Sequence, residues 1–342
     1  MIIELSNIPE LHNVDLLTFR NEILPQAKPV VLKGLIADWP ATRAARSSPQ
    51  AIAEYLKVFD SGRVSNTLVA EAEVRGKFFY GSDLRSFNFA KRQERISDAI
   101  DRLLTDAPDE NAPATYVQSM PIPEYMPGFA NANVNPLVHA SVPGRIWIGN
   151  RLTVTTHYDL SDNLACVVAG RRRFTLFPPD QIANLYPGPL EFTPAGTPVS
   201  MVDLGNPDFD RFPNFRTALA AAQTAELEPG DALFIPYFWW HHVQSLEPFN
   251  VLVNYWWNEG RPPLPGTYDC LLHALLAIRE MPDNQRAAWR AAFDYYIFKT
   301  HGEPLAHLPP EVRGGMGPMT PQRAHDLKQM LLRGLMKQVA RP

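Results

Sequence analysis

Two cysteines in 342 residues, Cys166 and Cys270, are too few for a disulfide framework, and no CxxC pair is present to hold a metal or cycle redox state. No apolar run approaches the roughly 18 residues needed to cross a bilayer. The opening MIIELSNIPELHNVD has no basic stretch followed by an apolar core, so no secretory signal is read there. Neither sign of charge dominates: 32 Lys and Arg stand against 36 Asp and Glu, a net charge of −4, which leaves no overall basic footprint for nucleic acid. GxGxxG, the P-loop, GxSxG and HExxH are all missing, which removes the simplest routes to dinucleotide, nucleotide, serine-hydrolase and zinc-protease chemistry. The expectation is a soluble, cytoplasmic protein without a membrane partner.

Proline, by contrast, is plentiful. The chain has 33 prolines and 19 glycines with 45% hydrophobic residues, a composition that supports a sizeable core but argues against a long helical bundle, because each proline removes a backbone donor. Val14–Trp39 reads as a short helix followed by a buried strand from Pro29 to Leu35. Helices are expected over Pro49–Phe59 and Ile96–Thr105, where Ile96, Ile100, Leu103 and Leu104 recur at helical spacing. From Thr115 the pattern changes to short β-branched and aromatic runs: Tyr116–Gln118, Arg145–Ile148, Thr153–Tyr158, Leu164–Val168, Phe174–Phe177, Ala232–Ile235, Val243–Leu246 and Asn250–Trp257. Short strands separated by Pro, Gly and Asn suggest a barrel or jelly roll. Leu185–Ala222 is a long excursion with helical character only from Phe215. Helices return over Cys270–Arg279, Arg286–Lys299 and from Thr320-Pro321, an N-cap with proline in the first turn, to about Gln338. Leu327, Met330, Leu331, Leu335 and Val339 form one apolar stripe on the last of these, fit for a core or a dimer face.

The chemistry is carried by histidine. His157-Tyr-Asp159 sits on an expected strand, whose period of two sends the imidazole and the carboxylate to one face. A histidine from a later strand, His241 or its neighbour His242, would complete a set of two histidines and one carboxylate. Such a facial set leaves open positions on Fe(II), although it also suits zinc. His301-Gly-Glu303 has the same spacing but no strand to align it, and is read as a surface pair.

Longer motifs surround these residues. Thr155-Thr-His157-Tyr-Asp159 is followed by Asp162-Asn163-Leu, Gly170-Arg-Arg-Arg-Phe-Thr-Leu-Phe-Pro-Pro-Asp-Gln181, Leu185-Tyr-Pro-Gly-Pro, Asn206-Pro-Asp-Phe-Asp-Arg-Phe-Pro-Asn-Phe215, Pro229-Gly-Asp-Ala-Leu-Phe-Ile-Pro-Tyr-Phe-Trp-Trp-His-His-Val-Gln-Ser245 and Asn250-Val-Leu-Val-Asn254-Tyr-Trp256. Over roughly residues 20–260 this resembles the JmjC-type, cupin-like Fe(II)/2-oxoglutarate oxygenases, closest to a bacterial branch related to the asparaginyl hydroxylase of hypoxia-inducible factor.

The resemblance implies a mainly β fold with flanking helices, a double-stranded β-helix (jelly roll, cupin, JmjC type) over residues 1–260, and a C-terminal helical extension over 261–342 that pairs two subunits. It implies a hydroxylase that consumes 2-oxoglutarate and dioxygen at Fe(II); family analogy favours a protein or peptide substrate, while a tRNA base and a small metabolite stay open. It makes His157, Asp159 and His241 the iron ligands, and Tyr116, Asn163, Arg172, Asn254 and Trp256 the residues around 2-oxoglutarate. Arg172 stands where relatives carry the lysine that pairs the distal carboxylate; alternation sends it to one face and Arg171 and Arg173 to the other. Val154 stands where relatives often have a hydroxyl, and Thr153 or Thr155 is expected to replace it. The alternatives are a non-catalytic metal-binding cupin that senses or binds a small ligand, and a zinc-dependent cupin enzyme.

Overall fold

A strand buried on both faces needs apolar residues at every position rather than at alternate ones. The run Leu164–Ala169, buried throughout, has that form and lies inside the larger of two sheets. The protein is described here from a computed structural model covering residues 5–258 and 266–339. Its strands are, in chain order, β1 (Ser6–Asn7), β2 (Glu10–His12), β3 (Val30–Lys33), β4 (Val64–Ala70) and β5 (Lys77–Phe78). There follow β6 (Ala90–Arg95), β7 (Ala114–Pro121), β8 (Gly144–Gly149), β9 (Thr153–Tyr158) and β10 (Asp162–Ala169). The series ends with β11 (Arg172–Phe177), β12 (Gln223–Leu227), β13 (Ala232–Ile235), β14 (Trp240–Ser245) and β15 (Asn250–Trp257).

The smaller sheet has the order β1-β12-β11-β14-β9-β5 and the larger β2-β3-β13-β10-β15-β8-β7-β4-β6. This is the expected mainly β jelly roll with flanking helices. Along β10, Leu164, Cys166 and Val168 pack on the helix-covered side with Ile52, Leu56, Ile100 and Leu103. Ala165 and Val167 face the other sheet and pack with Phe174, Leu176 and Val243. Each fully buried aliphatic side chain in these two layers contributes about 1.5–3 kcal/mol, and the layers hold the sheets at a fixed spacing around the site.

The helices Pro49–Lys57 and Ile96–Asp106 agree with their sequence spacing. The stretch read as one short helix after Val14 is instead a single turn, Leu16–Thr18, running into a π-type turn, Phe19–Ile23, and a 3-10 turn at Leu24–Gln26, where Pro25 supplies no donor. Two longer strands carry no recognisable apolar alternation. β4 buries Ser65 and Thr67 among its inward residues, and β6 is a charged sheet edge exposed along most of its length. Glycine is required at position 170, where φ is +70° in the turn from β10 to β11 and a Cβ would collide with the Asn250 side chain.

The chain divides into two compact units, Met1–Asn258 and Glu259–Pro342. The boundary expected at residue 260 lies outside the described residues. Within the second unit the helices are Thr267–Ala277, Asp283–Tyr296 and Pro321–Val339. The Thr320 hydroxyl accepts from the Arg323 amide at 3.2 Å, as an N-cap does. Of the expected stripe, Met330, Leu331 and Leu335 are exposed and Leu327 is half-buried, while the side chain of Val339 lies outside the described residues. No described helix is long and apolar enough to cross a membrane.

Candidate metal centre

β9 and β14 run antiparallel with His241 opposite His157 and Val243 opposite Val154. Two steps on β14 match three on β9, so β9 carries one extra residue between these pairs. That bulge resets the alternation, and both Val154 and His157 face the space between the sheets. All eight residues expected to hold a metal or line the co-substrate pocket border this one cavity: His157, Asp159, His241, Tyr116, Asn163, Arg172, Asn254 and Trp256. Trp147, Phe174, Val243 and Leu252 complete much of the wall.

The imidazoles of His157 and His241 have centroids 4.3 Å apart, and His241 Nε2 lies 3.6 Å from Asp159 Oδ2. One ligand atom from each of the three residues lies within 4.8 Å of the others, a spacing that a single metal ion can bridge. His157 Nδ1 lies 2.8 Å from the Thr155 carbonyl and His241 Nδ1 lies 3.0 Å from that of Trp239. A carbonyl only accepts, so each Nδ1 carries a proton and Nε2 is the ring nitrogen left to a metal. Burial, together with the neighbouring His241, pushes His157 down to about 4, which leaves it neutral at pH 7.

The carboxylate is held by a relay of side chains. Asp159 Oδ2 accepts from Asn163 Nδ2 at 3.1 Å and from Trp256 Nε1 at 3.0 Å. Asn254 Nδ2 donates to Asn163 Oδ1 at 3.1 Å, and Trp147 Nε1 donates to Asn254 Oδ1 at 2.7 Å. Asn163, Asn254 and Trp256, expected only as pocket wall, thus also orient Asp159. Trp147 was not anticipated. The Arg-Ile-Trp-Ile alternation of β8, with Ile146 and Ile148 in the helix-facing core, is the signal that would have placed it inward.

The far end of the cavity is different. Arg172 is 1% exposed, and its Nε and Nη2 have no hydrogen-bond partner. Burial lowers its pKa to about 10, opposed by the nearby Tyr116, so the guanidinium stays charged at pH 7. Burial pushes the Tyr116 phenol well above its ordinary range, keeping it a neutral donor, and its ring stacks on Trp147 with centroids 5.9 Å apart. Alternation along β11 does put Arg171 and Arg173 outside, where Arg171 pairs with Glu226 and Glu247 and Arg173 with Glu226.

His242 lies outside the cluster: it is buried on the opposite face, with Nδ1 3.3 Å from the Thr156 hydroxyl. The expectation that Thr153 or Thr155 replaces the hydroxyl missing at Val154 is corrected by the bulge. Val154 itself faces the cavity, neither threonine lines it, and the Thr155 hydroxyl donates to the Phe78 carbonyl at 3.3 Å.

A family model described as the cupin-like domain matches residues 16–261. The chain is similar to human HSPB1-associated protein 1, 36% identical over 156 residues that cover 42% of this chain and 31% of that protein. It is similar to zebrafish (Danio rerio) lysine-specific demethylase 8, 28% identical with 73% of this chain and 58% of that protein covered. It is also similar to chicken (Gallus gallus) tRNA wybutosine-synthesizing protein 5, 28% identical with 74% and 77% covered. The match spans about a third of the length of the HSPB1-associated proteins.

Proposed function

The chain belongs to the cupin-like domain family, and on that premise we propose that it is an Fe(II)/2-oxoglutarate-dependent oxygenase of the JmjC type that hydroxylates a protein or peptide. The observation that carries the reading is a buried, unpaired guanidinium in the same cavity as two imidazoles and a carboxylate. An unpaired buried charge is costly unless a counter-charge joins it, so Arg172 fits an anionic ligand. The ligand set fits a divalent metal.

In this reading His157, Asp159 and His241 hold iron, and Arg172 pairs the distal carboxylate of 2-oxoglutarate. An arginine can do so with two parallel hydrogen bonds where a lysine offers a point charge. Tyr116, beside Arg172, donates to the same carboxylate. The Trp147–Asn254–Asn163 relay and Trp256 keep Asp159 from turning away, and Phe174, Val243, Leu252 and Ile235 exclude water from the cavity. When bound, iron with 2-oxoglutarate supplies the oxidising chemistry: dioxygen gives one oxygen atom to a C–H bond and one to succinate, with loss of carbon dioxide.

The names of two of the relatives, a lysine-specific demethylase and an HSPB1-associated protein, support a protein or peptide substrate, and that of the third makes a tRNA substrate the reading to test against it. The closer affinity to the asparaginyl hydroxylase branch, cytoplasmic location and pairing of two copies through the C-terminal unit belong to the same proposal. The exposed Leu276, Met330 and Leu331 support the pairing, which the mass of the protein in solution tests.

The decisive assay is release of succinate from 2-oxoglutarate by Fe(II)-loaded protein, abolished by His157→Ala. Activity restored by zinc but not by Fe(II) assigns a zinc enzyme instead. Tight ligand binding with no consumption of dioxygen assigns a binding protein.

A further inference from the structure

Arg145 lies on β8 two residues before Trp147, on the same face, and opposite Asn254 on β15. Its guanidinium sits over the ring of Trp256 at 5.6 Å from the centroid, and Trp256 is the indole that donates to Asp159. Its Nε donates to the Ser119 hydroxyl at 2.6 Å. Ser119 has φ of +54°, a left-handed region that a Cβ disfavours, and lies where the β7–β8 register shifts between Val117 and Met120. This irregularity in β7 therefore presents a hydroxyl that fixes Arg145 by its Nε edge and leaves Nη1 and Nη2 for another partner.

Among the described residues no carboxylate comes within ion-pair distance of Arg145, although it is half-buried. The half-buried Arg102 is the contrast, with both its Nη atoms on the Glu94 carboxylate. A guanidinium clamped at one edge, stacked on an indole and lacking a counter-ion is a preorganised fork for an oxyanion. Tyr116, Trp147, Trp256 and Arg145 follow one another in contact, so the fork is joined through Trp256 to the wall of the cavity that holds the metal ligands.

We propose that Arg145 is a specificity-determining residue that receives an oxyanion, a carboxylate or a phosphate, on the primary substrate. This rests on the reading of a peptide substrate given above. The test measures binding of short labelled peptides, identical but for a central Asp, phosphoserine, Asn or Lys, to the full chain without added metal. The wild-type protein should favour an acidic peptide over the Asn peptide by about tenfold or more, the size of one charge-assisted contact. Arg145→Glu should invert the order and favour Lys, which loss of packing alone does not produce.

A stronger response to Asp assigns the oxyanion to a carboxylate, and a stronger response to phosphoserine assigns it to a phosphate; either supports the fork. Equal binding of all four peptides by the wild-type protein, or the same ranking in Arg145→Glu, overturns it. Because succinate release is read separately, a protein that turns over 2-oxoglutarate yet ranks the peptides alike overturns only the role of Arg145.

Discussion

Around the metal ligands the Asp159 carboxylate, the amides of Asn163 and Asn254 and the indoles of Trp147 and Trp256 satisfy one another, whereas elsewhere in the same cavity the Arg172 guanidinium has two nitrogens with no partner. The same two sheets build both ends, so the difference lies in the side chains alone. A satisfied network holds its geometry before any ligand arrives, which suits a metal whose ligands must converge within a fraction of an ångström. An unsatisfied buried charge leaves part of the folding energy unspent until an anion joins it.

This comparison can be broken at either end. The largest effect is expected at the ligands: His157→Ala should lower Fe(II) affinity by more than about 100-fold, read by anaerobic metal titration. An affinity within a few-fold of wild type would remove His157 from the metal site. One step out, Asn163→Ala leaves Asp159 with Trp256 as its remaining donor, and metal affinity should fall by about 10–100-fold.

At the other end the sign reverses. Replacing Arg172 by Met removes an unpaired buried charge, so the ligand-free protein should become more stable, by about 1–4 kcal/mol in urea unfolding. Leu103→Ala, on the helix side of the larger sheet, should instead cost about 2–5 kcal/mol with metal affinity unchanged. The smallest effect belongs to Val154→Thr, which places a hydroxyl in the cavity. It should tighten 2-oxoglutarate binding by about 2–10-fold, the worth of one neutral hydrogen bond.

Strand alternation makes part of this site legible in the chain, whereas Tyr116, Asn163, Asn254 and Trp256 are placed there only by the family resemblance. Alternation along Arg171–Arg173 is enough to send one arginine inward, whereas His157 two residues before Asp159 gains weight only from its strand, from His241 on a later strand and from the surrounding motifs. Alternation fails where the ladder is irregular. The extra residue between Val154 and His157 turns Val154 inward and takes Thr155 away, and no local signal marks it. The relay from Trp147 to Asp159 joins strands as much as 107 residues apart in the chain, so only the register of β8, β10 and β15 brings it together. β6 escapes sequence reading for a third reason: a sheet edge made of Lys, Arg, Gln and Glu has no buried face to give it a period.

The most direct test is calorimetry of 2-oxoglutarate binding to the Mn(II)-loaded protein, which supports binding without turnover, in the wild type and in Arg172→Met. The account predicts one molecule bound per chain by the wild type and an affinity at least about 10-fold weaker in the variant, since a bidentate charge-assisted pair is lost. Equal affinities in the two proteins, or no binding by metal-loaded wild type, would contradict it.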